Sequence, residues 1–132
     1  MSQQNVETVR AMFASYAEGD VDAVINAAAE DIELRPALVG GLEGTVYRGK
    51  EGFRRFLADV DTAWDEWQIE IAEIHDLKDT VLALGSVQAR ARDGMKLEAR
   101  SGWVCGMRDG KVARFRSFVS RAEALEAVGL RE

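Results

Sequence analysis

Apolar residues recur at helical spacing in three segments of the first half of the chain. Such a stripe, with a period near 3.6 residues, is typical of a helix that packs one face on a core. The three stripes are Val6, Val9, Met12, Phe13 and Tyr16; Val21, Val24, Ile25 and Ala28; and Phe53, Phe56, Leu57, Val60 and Trp64. Gly19 is placed to end the first helix, and Asp20 to cap the second. We therefore predict three helices before residue 65.

Alternating apolar and polar residues predict five strands. The segment DIELRP alternates and ends at Pro36, and residues 37–49, which hold four glycines, are predicted as a loop. Residues 67–71 alternate again, and three strand-like segments follow them. Turn signals at Asp93-Gly94 and at residues 108–110 separate these last strands.

A capping box, Ser120-x-x-Glu123, predicts a short C-terminal helix that stops at Gly129. Helices grouped ahead of an antiparallel run of strands indicate the α+β class. We expect a strongly curved antiparallel or mixed sheet, with the three N-terminal-side helices covering one face.

The hairpin turns predict which side chains share a face. A two-residue turn at Asp93-Gly94 pairs Ser86 with Ser101 and Leu84 with Trp103. A turn at residues 108–110 then places Phe115 beside Trp103. One face would carry Leu82, Leu84, Trp103, Cys105, Met107, Phe115 and Val119, and the other Glu98, Arg100, Arg114 and Arg116 with Val87 and Val104. The first face would pack on the helices, and the second would be solvated or partly covered by another subunit.

The same pairing predicts a polar rung on the buried face: Ser86, Ser101 and Ser117 side by side, next to Gln88. Buried hydroxyls need partners, so the serines either bond to one another and to ordered water or contact a ligand. Trp64 and Trp103 are similarly open to two interpretations. They are core residues, or they shape a cavity and stack on a flat ligand.

The charge balance excludes several classes of partner. The 132 residues hold 17 basic and 23 acidic side chains, a net charge of −6, and 47% of them are hydrophobic. We expect one domain over residues 1–132 that binds neither nucleic acid nor an anionic membrane. With one cysteine and no secretory signal, we expect a cytoplasmic protein. Cys105 is predicted as a buried small hydrophobe and His75 as an exposed turn residue, and no motif indicates a metal site or a cofactor.

Five segments, taken in order, resemble a known family: GDVDAV, EDIELRP, VYRGKEGFRRFL, MRDGKVARFRSF and RAEALEAVGL. The chain is similar to the nuclear transport factor 2-like superfamily and, within it, to the SnoaL-like (polyketide cyclase-like) group. The resemblance implies a conical α+β fold around a deep pocket that opens at one end. It also implies a homodimer through the outer face of the sheet. Relatives include polyketide cyclases, ketosteroid isomerases, epoxide hydrolases and dehydratases, as well as noncatalytic proteins.

The positions that carry acids and bases in those enzymes have changed type in this chain. By the resemblance, Arg35 stands where the isomerases have a carboxylate base, and Trp103 where isomerases and cyclases have an acid or a histidine. Ser117 stands where cyclases and epoxide hydrolases have an aspartate. Without a neighbouring base, Trp and Ser do not take a proton from carbon at neutral pH.

Three further residues remain as candidates for chemistry. Arg35 either pairs with Glu33 near the sheet edge or holds a carbonyl or carboxylate in the pocket. Glu33 could act as a base if burial raised its pKa. The hydroxyl of Tyr16 reaches either the pocket or the surface.

Two functions are therefore carried forward, and whether the chain is an enzyme stays open. The first is binding, with or without an isomerase, cyclase or hydrolase reaction, of a small and largely apolar molecule. Its binding residues would be Arg35, Trp64, Ser86, Gln88, Ser101, Trp103, Phe115 and Ser117, with Glu33 and Tyr16 as catalytic candidates. The alternative is a noncatalytic dimeric interaction module whose pocket is filled by its own side chains.

Overall fold

The computed structural model describes residues 2–37 and 45–130. The elements in chain order are α1 Ser2–Ala17, α2 Val21–Asn26, β1 Ala28–Arg35, β2 Tyr47–Arg48, α3 Gly49–Ala63, β3 Trp64–Asp76, β4 Thr80–Ala91, β5 Lys96–Arg108, β6 Lys111–Phe118 and α4 Arg121–Ala127. The predicted α+β class and the order of the main elements are confirmed. Part of the predicted loop, residues 38–44, lies outside the described residues. The rest of that prediction is wrong at Tyr47–Gly49, which form β2 and begin α3.

The residues predicted to end or cap the helices do so in the structure. Gly19 has a φ of +78° at the end of α1, and the Asp20 carboxylate accepts a hydrogen bond from the Ala23 N–H at 3.1 Å. Ser120 Oγ accepts a hydrogen bond from the Glu123 N–H at 3.3 Å and so caps α4. Among the described residues, no helix is both long and apolar enough to cross a membrane.

The six strands form one curved, unclosed sheet in the order β2-β1-β6-β5-β4-β3. The β1–β6 pair is parallel and the other pairs are antiparallel, so the sheet is mixed. Helices α1 and α3 pack against the sheet. We call the side that carries the main core with these helices the helix face, and the opposite side the outer face.

The predicted β4–β5 register is wrong by one residue. The Ala91 N–H donates to the Met95 carbonyl at 2.8 Å, so three residues rather than two form the loop. Gly94 adopts a φ of +91° there, the conformation of a three-residue hairpin with a glycine bulge. As a result Gly85, not Ser86, lies opposite Ser101.

A one-residue slip moves every side chain of a strand to the other face. Val87 is therefore buried on the helix face, whereas Leu82 and Leu84 lie on the outer face under α4. The prediction that these two leucines pack beside Trp103 is wrong for that reason. The short C-terminal helix α4, for which no face was predicted, covers part of the outer face.

The β5–β6 register differs from the prediction by two residues over most of its length. Asp109 and Gly110 form a two-residue turn, both with positive φ, and a bulge follows between Gly106 and Met107. Trp103 then pairs with Ser117 instead of Phe115. Because a shift of two residues preserves the face, β6 keeps its predicted orientation. Val119 lies beyond the strand end and is 48% exposed, so its predicted burial is wrong.

Candidate functional site

A cavity of about 260 Å³ lies between the helix face of the sheet and helices α1 and α3. Its wall is almost entirely apolar. The aliphatic and aromatic lining residues include Met12, Phe13, Val24, Phe53, Phe56, Leu57, Val60, Trp67, Ile69, Val87, Leu97, Trp103 and Phe115. We call this space the inner cavity.

Three aromatic rings form one wall of the inner cavity. The Phe13 ring meets the Trp103 indole edge to face, with 5.4 Å between ring centroids, and lies 6.3 Å from the Phe115 ring. Such contacts hold aromatic side chains in fixed orientations. Trp103 and Phe115 are both buried in the core and lie where the sequence predicted them, facing the helices.

The polar atoms that reach the inner cavity are mainly hydroxyls. Ser101 is only 5% exposed, and none of the described residues hydrogen-bonds its side chain. Ser117 Oγ accepts a hydrogen bond from the Ala37 N–H at 2.7 Å, so its own proton remains available to another acceptor. The two serines share a face as predicted, although Ser117 lies opposite Trp103 rather than Ser101.

Tyr16 lines the inner cavity and also a second, adjoining cavity. Burial, and secondarily the negative charge of Asp61, raise the pKa of Tyr16 to about 12. The phenol is therefore neutral at physiological pH, where it serves as a hydrogen-bond donor rather than as a base. Tyr16 therefore lies at the cavity, and of the two roles in proton transfer it can act as a donor but not as a base.

The adjoining cavity is larger, about 840 Å³, and more polar. It shares Tyr16, Val24, Leu57, Val60, Trp67 and Ile69 with the inner cavity, so the two spaces are in contact. Its charged lining residues are Arg54, Asp61, Asp65 and Glu70. The two cavities therefore combine an apolar inner space with a more polar space beside it.

Trp64 belongs to the adjoining cavity. Its indole packs on Trp67 with 5.5 Å between ring centroids and 47° between ring planes. Its buried Nε1–H has no acceptor among the described residues. Most buried polar groups have such a partner, so this nitrogen is an exception.

The predicted positions of Ser86 and Gln88 are wrong. Both project from the outer face of β4, because the corrected register places Val87 rather than its neighbours beside Ala99. They do border the adjoining cavity, together with Gln68 and Glu70 of β3. Because β3 is the edge strand, this cavity extends around the edge of the sheet.

Arg35 and Glu33 also lie away from the inner cavity. In the parallel β1–β6 pair Leu34 lies beside Phe115 on the helix face, so Glu33 and Arg35 point outward. Arg35 Nε donates to Glu33 at 2.9 Å, and Arg48 donates to the same carboxylate at 2.7 Å. The hydrogen bond from Arg35, assisted by the charge of Arg48, holds the pKa of Glu33 below its ordinary value. The structure thus matches the ion-pair interpretation and not an anion anchor with a base beside it.

Cys105 and His75 were also weighed as reactive or metal-binding residues. Cys105 is fully buried, and burial raises the pKa of its thiol to about 12. His75 belongs to β3 rather than to a turn, and its Nε2 lies 3.1 Å from Glu73 Oε1. Within the described ranges, no three of the His, Cys, Asp and Glu side chains cluster closely enough to hold a metal ion.

Several residues of the two cavities were not predicted as part of a site. Phe13 and Trp67 were assigned to their helix and strand patterns but not to a site, and Asp61 was not singled out. Asp61 lies on α3 one position after Val60, which belongs to the apolar stripe of that helix. A charge at the edge of an apolar helix stripe is therefore the signal that was available for Asp61.

The comparisons with known proteins agree with this fold. The family model for the SnoaL-like domain matches residues 9–115. An NTF2-like protein of unknown function from Burkholderia pseudomallei is 21% identical, with a TM-score of 0.81 over 96% of this chain and 98% of that one. TerC, co-crystallised with polyporic acid, is 23% identical, with a TM-score of 0.80 over 93% and 96%. A protein with a ketosteroid isomerase-like fold from Catenulispora acidiphila, in complex with trimethylamine, is 16% identical, with a TM-score of 0.76 over 94% and 93%.

No curated protein matches the chain. At these identities the solved structures show a common fold alone, whereas the family model covers most of the chain. The chain belongs to the family of SnoaL-like domains.

Proposed function

We propose that this protein binds a small, largely apolar molecule in the inner cavity. The observation that carries the proposal is the cavity itself: about 260 Å³ of space, walled by apolar side chains and adjoining a larger, more polar cavity. Ligand sites are concave, mostly apolar and supplied with a few polar groups that fix orientation. The space favours ligand binding over a pocket filled by its own side chains.

Trp103 and Phe115 would contact the flat or aliphatic body of the ligand. Ser101 would hydrogen-bond one polar atom, since its hydroxyl lines the cavity and has no partner among the described residues. Ser117 would donate its free proton to a second atom. These roles suit a carbonyl or hydroxyl group, because a neutral hydroxyl recognises such groups without the desolvation cost of a charge.

A proton transfer in this site would depend on Tyr16. Its raised pKa makes it a donor to a developing oxyanion, as isomerase- or cyclase-type reactions require, but not a base. Polyporic acid and trimethylamine, held by two proteins of this fold, differ in size and charge. The ligand class is therefore better judged from this chain's own residues than from its relatives.

We also propose a homodimer through the outer face. This face carries Arg100, Arg114 and Arg116 on β5 and β6, and Glu98 on β5. Two copies related by a two-fold axis can bring these opposite charges together. Sedimentation velocity, which measures the mass of the particle in solution, tests this proposal.

A cavity-blocking variant tests the binding function. Ala99 lines the inner cavity, so Ala99→Phe should fill part of it, whereas Ala122→Phe adds the same ring on the exposed side of α4. We expect 2-naphthylmethanol, titrated by calorimetry, to bind the wild type and Ala122→Phe equally and Ala99→Phe at least tenfold more weakly. Equal affinity for all three proteins, or no binding to the wild type, would contradict the proposal. Native mass spectrometry of the purified wild type would also reveal a retained small molecule.

A further inference from the structure

Two carboxylates of the adjoining cavity lack a compensating cation. Arg54 donates to Asp22 at 2.8 Å, and Arg92 donates to Asp65 at 3.1 Å, so those charges are paired. Asp61 and Glu70 have no ion pair among the described residues. The lining of this cavity therefore carries an excess of about two negative charges, obtained by counting paired and unpaired groups.

Arg92, which lies beside Asp61, does not cancel this excess. Arg92 reaches the C-terminal end of α3 and donates to the carbonyls of Asp61 and Thr62 at 3.3 and 2.8 Å. Its charge is already matched by Asp65. The chain as a whole has a net charge of −6, which adds to the negative potential at this opening.

Aromatic rings line the same cavity. Trp64 and Trp67 are tilted against each other with 5.5 Å between centroids, and Tyr16 stands at the junction with the inner cavity. The faces of such rings attract cations, tryptophan most strongly. Carboxylates and indoles together make a suitable environment for an alkylammonium group.

The inner cavity has the opposite character. None of the described residues that line it is charged, and the Ser101 hydroxyl that faces it has no partner among them. An ionised group there would lose its hydration without an opposite charge to replace it. An ionised group on a ligand would consequently remain in the adjoining cavity, where the protein's own charges select its sign.

We propose that the ligand is an apolar molecule bearing a protonated amine, with its body in the inner cavity and its ammonium group beside Asp61, Trp64 and Trp67 in the adjoining cavity. This inference rests on the proposed function, because it assumes that the inner cavity takes the apolar body. It adds the charge of the ligand, its orientation and the residue that selects it. Molecules of the same shape that carry a carboxylate are selected against.

Three probes with one ring system separate the two proposals. They are 2-naphthylmethanol, which is neutral, 2-naphthylmethylamine, which is cationic at pH 7, and 2-naphthoate, which is anionic. We expect the amine to bind roughly fivefold more tightly than the alcohol at low salt, and the carboxylate to bind more weakly than both. The preference should shrink as salt is raised to about 0.5 M, because ions screen charges at a partly exposed site.

A charge-removing variant identifies the selecting residue. Asp61→Asn should lower the affinity for the amine about three- to fivefold and leave the alcohol unchanged. Glu51→Gln removes a charge from the exposed start of the same helix, outside both cavities, and should change neither affinity. Because Asp61 is exposed, we expect all three proteins to share one melting temperature, which confirms that the comparison is made on folded protein.

The outcomes separate the two proposals. If the alcohol fails to bind, the proposed function fails, and this inference fails with it. If the alcohol binds but the amine binds no better, or Asp61→Asn leaves the amine preference intact, the proposed function stands and the inference is wrong.

Discussion

The two faces of the sheet are packed in different ways. On the outer face α4 lies directly on β4 and β5, and a Cβ atom built on Gly102 would lie 2.3 Å from the Ala124 Cβ. On the helix face, α1 and α3 leave about 260 Å³ between themselves and the strands. Protein interiors are normally close-packed, and the outer face follows that rule whereas the helix face departs from it.

This difference separates residues that stabilise the fold from residues that are available for binding. Leu82, Leu84, Ala124 and Leu125 form a small buried cluster that borders neither the inner cavity nor the adjoining cavity. The side chains that line the inner cavity pack against the main core on one side, but on the cavity side they have no packing contact. A molecule that enters can supply the missing contacts, and burial of its apolar surface would favour binding.

A matched pair of leucines gives the largest expected contrast. Leu84→Ala removes a side chain that is completely buried under α4, and we expect a loss of about 3 kcal/mol in the free energy of unfolding. Leu97→Ala removes a leucine that borders the inner cavity and is 36% exposed, and we expect a loss below about 1 kcal/mol. Urea denaturation measures both. Equal losses would show that the two faces are packed alike.

A pair of glycines on one strand tests the close approach of α4. Gly102→Ala would force its methyl group against Ala124 and Leu84, and overpacking of this kind costs about 1–3 kcal/mol. In Gly106→Ala the nearest atom is Arg114 Nε at 3.2 Å, on a flexible side chain that is able to move, so we expect little change. Thermal unfolding of the two variants compares them. A fully tolerated Gly102→Ala would mean that α4 can lift from the sheet at little cost.

The fold could be predicted from the sequence because each element carries several concordant signals. Helical stripes, caps such as Asp20 and Ser120, and positive-φ glycines such as Gly19 all indicate the same boundaries. The face of β6 was also predicted, although its register was not, because the error was an even number of residues.

The face of β4 could not be predicted with the same arguments, whereas the face of β1 could. Asp93-Gly94 and Asp109-Gly110 are the same dipeptide, yet the first belongs to a three-residue loop and the second to a two-residue turn. Asp93 Oδ1 accepts the Met95 N–H at 2.9 Å and stabilises the longer loop, a contact that the dipeptide does not reveal. On β1 the alternation of Ile32 and Leu34 with Glu33 and Arg35 already indicates that the two charged side chains point away from the core, as the structure shows.

The candidate site was predicted only in part for a related reason. Trp103, Phe115, Ser101 and Ser117 follow from alternation on the two strands that were oriented correctly. The volume of the cavity depends on how far α1 and α3 stand from the sheet, which is a property of the assembled molecule. The opening and its charges could therefore not be derived before the helices were placed.

The smallest predicted effect concerns the ion pair that fastens α4 to the sheet. Arg121 Nη1 donates to Glu73 Oε2 at 2.6 Å, and that hydrogen bond, followed by one from His75, holds the pKa of Glu73 below its ordinary value of 4.5. A carboxyl whose pKa is lower in the folded state stabilises the fold above its unfolded pKa and loses that contribution as pH falls through the folded value. We therefore expect the stability difference between wild type and Glu73→Gln to be constant near pH 7, to shrink as pH falls below about 4.5, and to vanish once pH lies below the lowered folded pKa.

The matched control for that ion pair is Glu126→Gln, which removes an exposed charge from α4 and leaves the Arg121–Glu73 ion pair intact. The stability difference between Glu126→Gln and the wild type should not change over the pH range in which the Glu73→Gln difference disappears. Hydrogen exchange at the α4 amides, measured along the pH series, shows whether the loss begins on the outer face. If α4 and α1 lose protection together in acid, the ion pair does not fasten α4 separately, and the outer face is no more dependent on this contact than the helix face.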